Sequence, residues 1–112
     1  MNLNDIVENI GLKIKTDNNN LDIEVTRGYS SDLLSDVMAH ANEGDLWITM
    51  QAHQNIVAVA ALKTLSVIIL VNNRQPEAAT LKKANEENIP IMTTELSTFE
   101  LIGRLYELGI KG

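Results

Sequence analysis

The chain has no cysteine. That excludes disulfides, thiolate nucleophiles, and cysteine-held zinc or iron–sulfur clusters. Aromatic residues are scarce, at 4% of 112 residues, so any core must be built from Ile, Leu, Val, Ala and Met. Prolines number two. Long apolar runs are missing: residues 56–62 and 67–71 are the longest, far too short to span a bilayer. The first residues are polar and acidic, unlike a secretory leader, so a cytoplasmic location is expected. Basic clusters are missing too. Lys82-Lys83 is the one basic pair, and the net charge is −6. Such a surface repels phosphate backbones and anionic lipid heads, so neither a nucleic-acid nor a membrane partner is expected.

What is present is a globular composition, 45% apolar, of a length that suits one domain over residues 1–112. Leu3, Ile6, Val7 and Ile10 fall on one helical face, with Asn2 or Asn4 as cap and Gly11 as stop. Leu12 and Ile14 alternate with lysines as in a half-buried strand, and residues 17–20 read as a turn. Leu21, Ile23 and Val25 alternate with polar residues, a second strand candidate. Arg27-Gly28-Tyr29 follows it. Gly28 suits an irregular backbone or the close approach of another group, and a bulge is the simpler reading.

A strand–helix rhythm then begins. Helices are expected over about 33–41, 55–65, 76–88 and 97–108, and strands over 46–50, 67–71 and 89–93. Pro76 suits a first helical turn, and Ser97 with Glu100 has the capping-box spacing. Alternating strands and helices with short loops predict a three-layer α/β domain. Its mainly parallel sheet has about four core strands, with an N-terminal helix and short strand added.

Residues 56–62 are apolar around the whole circumference of their helix. A helix without a polar face is expected to be covered on every side. The sheet covers one side; a second copy of the chain, meeting it through Ile56, Val57, Val59 and Ala60, is expected to cover the other. Flanking loops or the N-terminal helix are the alternative cover.

In open α/β sheets, ligands bind beyond the carboxyl ends of the strands. Tyr29, Ser30, Asp32, Thr49, Gln51, His53, Asn72, Arg74 and Thr94 fall at those ends and are the expected ligand-binding residues. Helix N-termini beside them favour an anion. Read singly, most of these residues are helix caps and turn formers. His40 and His53 lack the spacing of a local metal site, and no metal or cofactor is expected. There is no GxxxxGK[ST], GxGxxG or GxSxG motif, so nucleotide hydrolysis and hydride transfer are unsupported. No catalytic residue is assigned. The one enzymatic alternative pairs His53 with Ser30, Ser31 or Thr49.

Several segments together resemble a known family. They are Leu3-Asn4-Asp5-Ile6-Val7, Gly11-Leu12-Lys13-Ile14, Gly44-Asp45-Leu46-Trp47-Ile48-Thr49, Val67-Ile68-Ile69-Leu70-Val71, and Asn88-Ile89-Pro90-Ile91-Met92-Thr93-Thr94 with Leu96-Ser97-Thr98-Phe99-Glu100. In order and spacing they look like a DRTGG domain in its stand-alone form, related to the N-terminal domain of HPr kinase/phosphorylase. The likeness covers nearly the whole chain. Gln51-Ala52-His53-Gln54-Asn55 stands where the family's Asp-Arg-Thr element would fall, and the kinase's phosphate loop is absent. The resemblance therefore implies a regulatory domain and not a kinase. It implies a homodimer that senses a nucleotide or other small anion, or docks on a metabolic or redox enzyme. Hydrogenase and NADH-oxidising subunits are the partners it suggests, and a purely structural subunit of such a complex is the rival.

Overall fold

The computed structural model describes residues 1–17 and 20–112. Asn18 and Asn19, half of the expected turn, lie outside the described residues. The elements alternate as α1 (Leu3–Ile10), β1 (Lys13–Ile14), β2 (Arg27–Ser30), α2 (Leu34–His40) and β3 (Asp45–Thr49). Then come α3 (Asn55–Lys63), β4 (Val67–Leu70), α4 (Ala78–Glu87), β5 (Ile91–Thr93) and α5 (Thr98–Glu107). The sheet order is β1-β5-β4-β3-β2. β2 to β5 run parallel, and β1 is antiparallel to β5. The expected α/β class and four parallel core strands are therefore found.

Local chemistry sets the ends of the elements. The Asn2 side chain accepts from Asn4 N at 2.9 Å and starts α1, and Gly11 ends it at φ 80°. Ser97 caps α5 by accepting from Glu100 N. Asn88, at φ 56°, closes α4 in the left-handed region that Asn tolerates. Pro76 sits one residue ahead of the α4 cap, Glu77, and not in the first turn as expected.

The strand expected over 21–26 is displaced. Those residues run beside the chain start, with Leu3 N donating to Ile23 O and Val25 N to Met1 O, both at 2.8 Å. The alternation reported burial correctly, since Val25 is buried with Leu21 and Ile23 packed on the same core. Periodicity does not name the partner. The sheet strand is instead Arg27–Ser30, paired in unbroken register from Arg27 with Asp45 to Ser30 with Ile48. Gly28 thus lies in a regular strand and not at a bulge.

β2, β3, β4 and β5 are neighbours in chain order. Right-handed crossovers then put α2, α3 and α4 on one face. There Val37, Ala41, Ile56, Val57, Ala60 and Ala84 pack on Trp47, Ile68, Leu70 and Ile91. α1 and α5 cover the other face, with Leu3, Ile6, Leu101 and Leu105 on Leu46, Ile48, Val67, Ile69 and Met92. Buried on both sides, β3 and β4 are apolar almost throughout.

α3 lies between α2 and α4. That corrects the expected dimer surface. Ile56, Val57, Val59 and Ala60 are already buried within the one chain. The solvent side of α3 carries Ala58, Ala61 and Leu62, the last 73% exposed.

Candidate functional site

The carboxyl ends of the strands form the expected polar edge. At its centre is the β3–α3 junction. Asp32 Oδ1 accepts from Thr49 Oγ1 at 2.8 Å and from Met50 N at 2.7 Å. Gln51 Nε2 donates to Asp32 O at 3.1 Å, and Gln51 N donates to Thr49 Oγ1. Arg74 reaches the same turn, with Nε donating to Met50 O at 3.1 Å. Asn72 Nδ2 donates to Met50 Sδ. Five of the nine expected residues, Asp32, Thr49, Gln51, Asn72 and Arg74, are therefore brought together around Met50. Most of their polar atoms hold their own loops. The Nη groups of Arg74 have no protein partner among the described residues.

The other four lie apart. His53 Nδ1 accepts from Asn55 N at 3.2 Å, a local contact at the start of α3. Among the described residues it makes no hydrogen bond with Ser30, Ser31 or Thr49. Thr94 Oγ1 accepts from Leu96 N in its own turn, and its carbonyl accepts from Asn73 N. Asn73, between Asn72 and Arg74 at the same strand end, is not among the nine expected residues. It and Asn72 both sit at φ 56° and tie the β4–α4 loop to the β5–α5 loop. An Asn-Asn pair before a helix is the signal for such a bend.

Tyr29 points to the α2 side. Its hydroxyl donates to Asp36 Oδ2 at 2.7 Å, and the Arg27 guanidinium lies 5.9 Å from its ring centroid. The hydrogen bond to Asp36 raises the Tyr29 pKa, with burial adding to it. The same bond, helped by Ser31 and His40, lowers that of Asp36. Arg27 Nε donates to Asp45, a fully buried carboxylate that also accepts from Asn42 N at 2.7 Å. The bond to Asp45 raises the Arg27 pKa above its already high ordinary value.

Ser30 faces the opposite side of the sheet, toward α5. Side chains alternate along a strand, so Gly28 and Ser30 share that face. A cavity of about 240 Å³ lies there, walled by residues 28–30, Ile48, Ile102, Leu105, Tyr106 and residues 110–112. Its lining is mostly apolar. Gly28 makes room, since a Cβ there would sit 3.7 Å from Ile110 Cγ2 and occupy the floor. The last residues form one wall: Gly28 N donates to Lys111 O at 2.9 Å, and Gly112 N to the Tyr106 hydroxyl at 3.4 Å. Sequence reasoning missed this cavity. Its traces were Tyr29 and Ser30, two of the nine expected residues, and Gly28 with its room for the close approach of another group; the α5 wall left none.

Among the described residues, no three His, Asp or Glu side chains converge as a metal site. No helix described is long and apolar enough to cross a membrane.

No curated protein matches the chain. Among solved structures it is similar to the CBS and DRTGG domains of the regulatory region of Clostridium perfringens pyrophosphatase, complexed with its activator, diadenosine tetraphosphate. The TM-score is 0.74 at 19% identity, over 89% of this chain and 44% of that one. This chain thus matches less than half the length of that regulatory region, and the likeness is one of fold. The family model of the DRTGG domain matches residues 5–108, from α1 through α5. The chain belongs to the DRTGG domain family.

Proposed function

We propose that the chain is a non-catalytic regulatory module, homodimeric in solution, that recognises a small ligand. The observation that carries this reading is the open cavity beside β2, which has an apolar body and a hydrogen-bonding rim. The strand-end corner supports it from the other direction. Its hydroxyls and carboxylate hold the turn at Met50, and His53 has neither an orienting carboxylate nor a hydroxyl among its contacts. A nucleotide is the first ligand to test, because the similar pyrophosphatase region was solved with a dinucleotide activator. The dimer reading rests on α3, whose solvent side remains apolar at Ala58, Ala61 and Leu62.

Thermal shift against ADP, diadenosine tetraphosphate and inorganic phosphate tests the ligand reading. At a hundredfold excess over Kd, a ligand specific to the folded state stabilises by about 2.7 kcal/mol. That raises Tm by roughly 10 °C for a domain of this size. No shift with any of the three counts against it. Sedimentation at micromolar concentration tests the dimer: the native chain runs as a dimer and Leu62→Glu as a monomer. A monomeric native chain overturns that part.

A second reading has its own observation. Leu33, Met50 and Phe99 follow β2, β3 and β5 and are exposed at 64%, 37% and 89%. Three apolar side chains on one edge suit docking on an enzyme, such as a hydrogenase or NADH-oxidising subunit. Binding of a purified NADH-oxidising subunit, lost in a Leu33→Ser, Phe99→Ser double variant, would favour this reading over ligand sensing.

A further inference from the structure

We infer that the cavity between β2 and α5 is a binding site for a neutral, flat heteroaromatic ring of the nucleobase class. The inference rests on the small-ligand reading and names its chemistry. Size is the first argument. About 240 Å³ exceeds the roughly 150 Å³ that admits benzene and falls below the roughly 300 Å³ where pockets for larger ligands begin. One ring, or two fused rings, fills it.

Shape is the second argument. The floor is sheet, with Gly28 contributing no side chain and Ile48 an apolar one; the roof is α5, through Ile102 and Leu105. A slot between a sheet and a helix suits a flat body, and the ring of Tyr106 at its side offers a stacking surface.

Polarity at the mouth is the third argument. Gly28 N–H points away from the sheet to Lys111 O, and Ser31 N–H points into it, to Ile48 O. By the alternation of a strand, Ser30 N–H and C=O face outward with Gly28 C=O. β2 is the last strand of the sheet, and those three groups have no protein partner among the described residues. The strand edge therefore displays acceptor, donor and acceptor in sequence beside the slot. The edge of a ring that carries both donors and acceptors answers that pattern, and a plain hydrocarbon does not. Charge is the fourth argument. The lining is mostly apolar, so burying an ionised group in it is costly, and the one charged side chain there is the Lys111 cation.

The test is an amide-shift NMR titration of the full chain with adenosine, which has the ring and no phosphate. Saturable shifts are expected at Gly28, Ser30, Ile102 and Gly112. Gly28→Val places methyl groups on the floor, and Ile102→Phe fills the slot from the helix. Each is expected to weaken adenosine by more than about tenfold while the dispersion of the remaining amides shows an intact fold. Adenosine binding unchanged in both variants, or shifts centred on Asn72 and Arg74, overturns the assignment of this cavity. No saturable shift at millimolar adenosine overturns the ring proposal. In either case, stabilisation by ADP or phosphate would leave the broader ligand reading standing.

Discussion

Two corners of the sheet, both near the end of β2, handle their polar groups in opposite ways. Toward α2 and α3, most polar side-chain atoms are consumed, the Arg74 Nη groups excepted: Asp32, Thr49, Gln51 and Arg74 Nε hold the turn at Met50, and Tyr29 holds Asp36. Toward α5, Gly28 and Ser30 leave space and unpaired backbone groups. A polar cluster reads as a site in a sequence and an apolar gap does not. The proposed site reverses that expectation, because side chains that bond to their own loops have less left to offer a ligand.

Four measurements break or sharpen this contrast. The largest effect is expected at Trp47, fully buried on the α3 side with Nε1 donating to Ser31 O at 2.9 Å. Trp47→Ala should cost about 3–5 kcal/mol in urea denaturation, through the cavity it leaves. A cost under 1 kcal/mol would mean that this face is as loosely filled as the α5 corner.

Asp45→Ala comes next. It strands Asn42 N–H and the Arg27 guanidinium, whose side chain is 30% exposed and so partly rescued by water. The expected loss is about 2–3 kcal/mol by the same measurement, at the low end for a broken buried pair. Arg27→Met should cost less than Asp45→Ala.

Asp32→Ala removes the acceptor for Thr49 Oγ1 and Met50 N at an exposed corner. About 1–2 kcal/mol of stability should go, with adenosine or ADP affinity unchanged. A loss of affinity without a loss of stability would return the ligand to the strand-end edge.

The smallest effect is a change of slope with pH. Asp36 titrates below its ordinary 3.8, so its contribution is complete above that value and disappears as pH falls through the lower folded one. Tyr29 titrates above its ordinary 10.0, so its contribution is complete below that value and is lost as pH rises through the higher folded one. Tyr29→Phe should flatten both limbs of a Tm–pH profile. An unchanged acid limb would mean that Tyr29 is not what holds Asp36 ionised.

The parts of the fold that were legible share a cause. Helix α1, its Asn2 cap and its Gly11 stop are written within a dozen residues. The apolar run of β4 and the Ser97 cap of α5 are equally local. So is the order of the alternating elements, which with right-handed crossovers yields the parallel sheet. Where sequence reading failed, the deciding partner was distant. Val25 pairs with Met1 and not with a sheet strand. Ile56, Val57, Val59 and Ala60 are covered by the chain's own sheet and helices, so they do not form the outer flank.

By itself, then, the sequence determined the class of fold, the element order, the caps and which residues seek burial, because these depend on neighbours a few positions apart. It also carried the family pattern over residues 5–108. Only the tertiary structure decided which polar residues spend their hydrogen bonds internally and which side of α3 meets solvent. It alone opened the cavity, by bringing Gly28 opposite Ile102 and Ile110. Those outcomes depend on contacts between separate elements, 17 positions apart for Asp32 and Thr49 and 82 for Gly28 and Ile110, and no local periodicity encodes the space left between two packed elements.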